Sequence, residues 1–219
     1  FGQDAVTVFD QDAGQDQPAF LTADRVFGLG MPASSAGSRG IRHVAIETLD
    51  LRLGDRADTV NILGTAAGTT TTVFTGEGGE NQVFVGDRAP LGPSLLEEIR
   101  GPLVLVGQSD RDLVSIDDSA DINDSSGELG RETLVGLGMG SGGIRYVGLE
   151  SLSVLLGSGD DQFLILDTHD QRTFVSTRSG ADRIVVDDAN GSLQLLSAGG
   201  ADRLTIHDSQ PDSAITWSA

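Results

Sequence analysis

The chain has 219 residues, 38% of them hydrophobic and only 5% aromatic, with 30 glycines, a composition that builds thin repetitive layers of Val, Leu and Ile rather than one thick globular centre. Acids outnumber bases 33 to 14 for a net charge of −19, which repels a phosphate backbone and sets nucleic acid aside as a partner. The absence of Cys removes disulfides and thiolate metal sites, and no run of ~18 apolar residues suggests a membrane-spanning helix.

Taken in chain order, the first element is the alternating run Asp4-Ala-Val-Thr-Val-Phe-Asp10, whose period of two between acidic turn residues is the signature of a half-buried strand. Over Phe20–Gly40 the beat fades, and this stretch carries Gly28-Leu-Gly-Met31, read as a tight turn or bulge. Ile41-Arg-His-Val44 follows, then Glu47, Leu49, Leu53 and Gly54, then Val83-Phe-Val-Gly-Asp87. Pro90–Glu98 reads as a loop insertion that exposes Leu91, Leu95 and Leu96, with one short helical turn feasible over Pro93–Ile99.

The same order then recurs. Gly136-Leu-Gly-Met139 repeats the earlier tetrapeptide at an offset of 108, Ile144-Arg-Tyr-Val147 through Gly157 repeats Ile41 through Gly54 at 103, Ile184-Val-Val-Asp-Asp188 repeats Val83–Asp87 at 101, and Gly191-Ser-Leu193 repeats Gly101-Pro-Leu103 at 90. Asp112-Leu-Val-Ser-Ile-Asp-Asp118 and Asp202-Arg-Leu-Thr-Ile-His-Asp208 restate the opening run. Residues 4–111 therefore form a first long repeat, 112–201 a second, and 202–219 the start of a third, within one continuous array over 1–219. The array reads as a window on something longer, with any export signal expected outside it. A shorter beat runs inside each repeat: Asp161, Asp182 and Asp202 lie 21 and 20 residues apart, one turn of about 20 residues with two short strands, or three. The expected fold is all-β, a parallel β-solenoid of the β-helix or β-roll kind, without substantial helix. The beat is weak over Phe20–Gly40 and again over Asp121–Gly143.

Gly159-Asp-Asp161-Gln-Phe163, Gly180-Ala-Asp182-Arg-Ile184 and Gly200-Ala-Asp202-Arg-Leu204 resemble the second half of the glycine-rich calcium-binding nonapeptide of repeats-in-toxin (RTX) proteins. The longer pattern over Glu47–Ile62 and Glu150–Ile165 resembles the roughly hundred-residue repeats of giant bacterial surface and secreted proteins. That resemblance implies an extracellular or cell-surface location and a structural or adhesive role, with like repeats of the same protein as partners, stacked head to tail or within one chain.

Stacking at ~4.8 Å predicts an acidic ladder of Asp161, Asp182 and Asp202 on one edge and another of Asp167, Asp188 and Asp208 on the other. Neighbouring carboxylates ~5 Å apart repel by about 0.8 kcal/mol in water and by several times more near a protein surface. Two devices offset this. Ca2+ suits hard carboxylate and carbonyl ligands; alternatively each Asp caps a turn by accepting backbone N–H groups, with Arg25, Arg183 and Arg203 neutralising charge across turns.

Neither catalysis nor zinc is expected. His43 aligns with Tyr146, His207 with Asp117, and His169 has no counterpart, so each reads as a lone surface histidine. The acidic pairs Asp117-Asp118 and Asp187-Asp188 recur too regularly to be a glycosidase-like active site, and Trp217 and Tyr146 alone cannot line a sugar cleft. The expectation is a stiff rod for reach, cohesion or attachment. A calcium-dependent adhesion module that touches a surface glycan or receptor through Pro90–Glu98 is the alternative, with a β-helix enzyme acting on polysaccharides as a minor one.

Overall fold

The computed structural model describes residues 2–10, 18–31, 40–108, 111–207 and 214–218. Within them every regular element is a strand and none is a helix. The first repeat contributes β1 (Ala5–Phe9), β2 (Ala19–Thr22), β3 (Arg25–Gly28), β4 (Ile41–Arg42), β5 (Thr48–Arg52), β6 (Thr59–Ile62), β7 (Thr70–Phe74), β8 (Asn81–Val85) and β9 (Leu103–Val106). The second contributes β10 (Asp112–Asp117), β11 (Ser126–Leu129), β12 (Thr133–Gly136), β13 (Ile144–Val147), β14 (Ser151–Leu155), β15 (Gln162–Ile165), β16 (Arg172–Arg178), β17 (Arg183–Val186) and β18 (Ser192–Ser197). Strands β19 (Arg203–Ile206) and β20 (Ala214–Ser218) follow.

Two largely parallel sheets of ten strands each result, ordered β1-β5-β7-β9-β13-β12-β11-β15-β17-β19 and β4-β3-β2-β6-β8-β10-β14-β16-β18-β20. From β4 to β10, and again from β13 to β20, the chain lays one strand in one sheet and the next in the other. At ~4.8 Å per strand each sheet extends roughly 43 Å. Alternation supplies the inner face of each: Leu49 and Leu51 of β5, Val60 and Ile62 of β6, Leu152 and Val154 of β14 and Leu193 and Leu195 of β18 are buried in a single apolar cluster that both sheets share. Backbone N–H and C=O groups are satisfied by the parallel neighbours on either side.

The two regions of weak periodicity are antiparallel meanders, β2-β3-β4 and β11-β12-β13. Each turns on the repeated Gly-Leu-Gly. Gly28, Leu29 and Gly30 have φ of 87, 52 and 67°, and Gly136, Leu137 and Gly138 have 88, 50 and 73°. Three successive left-handed residues reverse the chain, with Met31 and Met139 N–H bonded back to the carbonyls of Gly28 and Gly136 at 2.8 and 3.0 Å. A left-handed Leu costs about 1–2 kcal/mol, which the burial of Leu137 offsets.

The insertion departs from expectation. Leu91 is 92% exposed, but Leu96 is fully buried, Leu95 is half-buried, and Ile99 belongs to the core. Leu96 N–H donates to Asp118 Oδ1 at 3.1 Å, Leu95 N–H to Asp87 Oδ1 at 2.8 Å, and Ile99 bridges to Thr65. The segment is a plug docked on the sheets, held by turns and not by a helix.

Candidate functional site

The aspartates placed on the first edge do stack, and backbone amides join them. Asp161 Oδ1 accepts the Ser125 N–H, Asp182 Oδ1 the Asp161 N–H, and Asp202 Oδ1 the Asp182 N–H, each at 2.9 Å. Each carboxylate caps the amide of the preceding rung, so the ladder is hydrogen-bonded rather than merely repulsive. Burial raises the Asp161 carboxyl to about 6 and also raises that of Asp182, and the charge of the next aspartate adds to the effect in both.

The first repeat carries the same device in other residues. Asn81 Oδ1 accepts the Asp58 N–H at 2.9 Å, and Asn81 Nδ2 donates to Asp112 Oδ1 at 3.0 Å. The equivalent position in the second repeat is Asp182, so the amide replaces one of three stacked charges. Glu47 Oε2 accepts the Asp4 N–H at 2.7 Å and Glu150 Oε2 the Asp112 N–H at 2.6 Å. This gives the repeated Glu a purpose: it closes the start of the adjacent strand. Sequence inspection missed these roles for Asn81, Glu47 and Glu150, although the matching offset of the two glutamates was a usable signal.

The second edge is assembled differently. Asp167 accepts from the Asn190 side chain at 2.8 and 2.7 Å and from the Thr168 N–H at 2.7 Å, whereas Asp188 Oδ1 accepts from the Ala189 N–H at 2.8 Å. Asp167 is therefore tied to Asn190 of the next turn. Asp208 lies outside the described residues. Among the described residues no set of three or more His, Asp or Glu side chains converges in a way that could hold a metal.

A separate acidic corner surrounds Asp118. Its side chain is buried, Oδ1 accepts the Leu96 N–H, and Oδ2 has no partner. Burial, reinforced by Asp121, Asp161 and Asp117, drives this carboxyl to about 7.

The histidines also differ from expectation: His43 and His169 are buried and only His207 is exposed. His169 packs edge-on to Tyr146, with centroids 6.2 Å apart at 83°, and places Nε2 3.0 Å from the Arg172 carbonyl; burial lowers its pKa and keeps the ring neutral. Tyr146 donates to the Gly130 carbonyl at 2.6 Å, and burial holds its hydroxyl protonated. Together with Arg131, Glu132, Asp170 and Gln171 they line a polar cleft of about 220 Å³. Arg131 pairs with Asp170 and Arg145 with Glu132 at this cleft, which ties neighbouring strands together.

The remaining feature is the pair of sheet ends. Among the described residues, β1 and β4 each pair with one strand, as do β19 and β20. No protein family, curated protein or solved structure matches the chain.

Proposed function

We propose that this chain is a stretch of parallel β-solenoid that acts as a stiff structural segment of a long extracellular surface protein or fibre, without enzymatic activity. The observation that carries this reading is the strand-by-strand passage between two largely parallel sheets over β4–β10 and β13–β20, with an antiparallel meander inside each long repeat. Such an array bears load along its axis, because each turn is hydrogen-bonded only to its neighbours and adds a fixed length. The acidic exterior serves solubility. The extracellular placement rests on the resemblance of the hundred-residue pattern to bacterial surface repeats.

In this reading the stacked aspartates are turn caps, since their Oδ1 atoms already accept backbone amides. A calcium-gated adhesion module is the competing account, and titration separates the two. With Ca2+ added and then withdrawn by EGTA, the far-ultraviolet circular dichroism and melting temperature are expected to stay constant. A chain that unfolds in EGTA, or gains ten degrees or more with Ca2+, refutes the capping role.

A further inference from the structure

On the reading of the chain as a rod, the outer faces of its two sheets are the surfaces along which rods can lie side by side, and these faces differ in charge. Eight neighbouring strands of one sheet, β2-β6-β8-β10-β14-β16-β18-β20, run parallel throughout. They contain four charged residues, Asp112, Asp117, Arg172 and Arg178, and each is the first or last residue of its strand. Two acids and two bases cancel, so this stretch of sheet is neutral in a chain of net charge −19. The other sheet carries charge inside its strands, at Asp50 of β5, Glu128 of β11 and Arg145 of β13. The remaining described acids lie outside the strands. Two copies that meet along the turns therefore bring carboxylates together, and the neutral face is where they avoid it.

Alternation points every second side chain of these strands away from the core. Register aligns the middle ones in a row along the rod: Phe84, Ser115, Ser153, Phe174, Gln194 and Thr216. All six are half-buried or exposed, and none is charged. The row is complementary to itself. A two-fold axis parallel to the strands and midway between β14 and β16 sets Phe84 against Thr216 of a second copy, Gln194 against Ser115, and Phe174 against Ser153. Each large side chain thus meets a small one, which lets two sheets interdigitate ~10 Å apart. At the rims the same axis sets Asp117 against Leu196 and Arg172 against Ser151, so no like charges face each other.

We infer that this face docks on the same face of a second copy, so that rods pair side by side and antiparallel along their length. The contact is isologous, the same patch serving both copies. Six strands at ~4.8 Å and about five residues at ~3.3 Å give about 500 Å² per copy, or about 1,000 Å² in total, the size at which specific interfaces begin. Salt strengthens the pairing, because it screens the acidic turns of the two copies while the neutral face has no charge attraction to lose. Lateral pairing thickens the rod without lengthening it, which separates it from stacking of turns.

The test follows the full chain by sedimentation velocity and small-angle X-ray scattering from micromolar to millimolar concentration. The parent is expected to dimerise, more readily in about 0.5 M than in about 0.05 M NaCl, with a larger cross-sectional radius and an unchanged length. Phe84→Glu and Ser153→Glu each place a charge in the contact and are expected to weaken association by about tenfold or more while keeping the circular dichroism of the parent. Thr72→Glu, on the outer face of β7 in the other sheet, is expected to leave it unchanged. The chain has no cysteine of its own, so a short bismaleimide is expected to join S115C to Q194C in a mixture and not S115C to itself. A parent that stays monomeric, a dimer that is longer but no thicker, or dissociation by Thr72→Glu and not by Ser153→Glu overturns the pairing. A monomeric parent that chitin beads retain and that Phe84→Glu releases overturns it in favour of a polysaccharide on this face. The rod reading fails on a different measurement, if a chain lengthened by one repeat does not become longer.

Discussion

Asp118 offers a quantitative handle on the fold, because it is a buried carboxylate with one oxygen bonded to the Leu96 amide and the other without a partner. Its folded-state pKa of about 7, against an ordinary 3.8, means that the folded chain holds a proton the unfolded chain releases. The stability it lends is fully present below pH 4 and is lost as pH rises through 7, and Asp161, raised to about 6, acts in the same direction. At 1.36 kcal/mol per unit, and allowing for partial screening, ionised Asp118 costs about 2–4 kcal/mol at pH 8. Asp118→Asn keeps the acceptor for Leu96 and exchanges the unpaired charge for an unpaired amide, itself costing about 1 kcal/mol. The net gain at pH 8 is about 1–3 kcal/mol, which is roughly 2–10 °C in melting temperature for a chain of this size. Melting followed by circular dichroism between pH 5 and 8 is therefore expected to show a parent that weakens with rising pH and a variant that is flatter and more stable at pH 8. A variant that melts below the parent at pH 8 with an unchanged pH profile would refute the assignment.

Two further substitutions probe the turns and the ladder. Gly136→Ala places a Cβ 2.2 Å from the Ser126 carbonyl at a φ of +88°, whereas Gly30→Ala meets no atom within 4 Å; urea unfolding is expected to show a loss of about 2–4 kcal/mol for the first and about 1 kcal/mol for the second. Asp182→Asn copies the natural Asn81 at the equivalent rung and should leave stability unchanged or higher, while Asp182→Ala, which strands the Asp161 amide, should cost about 1–3 kcal/mol in the same assay.

The strands and their turns were legible because period-two alternation survives wherever a strand has one buried face, as in Leu49–Leu51 or Leu193–Leu195. The meanders were not. In β3 and β12 the strands run antiparallel and turn on three left-handed residues, so Phe20–Gly40 and Asp121–Gly143 lose the turn-length beat even though Gly-Leu-Gly-Met marked them as equivalent. The long repeat spans nine strands, an odd number, so β1 and β10 are alike in sequence yet lie in opposite sheets; linear comparison carries no sign of that half-turn. Leu96 looked like loop surface because its neighbours Pro93 and Glu97 are loop-like, but its side chain fills the core beneath Asp118. Of the proposed edges, the 20-residue spacing correctly stacked Asp161, Asp182 and Asp202, while Asp167 found the amide of Asn190, a partner 23 residues away that spacing between like residues cannot reveal.

A rod of stacked repeats gains length with each repeat and nothing else. Inserting a second copy of residues 112–201 after Ala201 adds nine strands over two sheets, about 22 Å of rod at ~4.8 Å per strand. Small-angle X-ray scattering of the monomeric chain and its lengthened form measures the maximum dimension and the cross-sectional radius independently. A stacked rod gives a maximum dimension greater by about 22 Å with an unchanged cross-section, and a cross-section that swells while the length stays constant would refute the stacking.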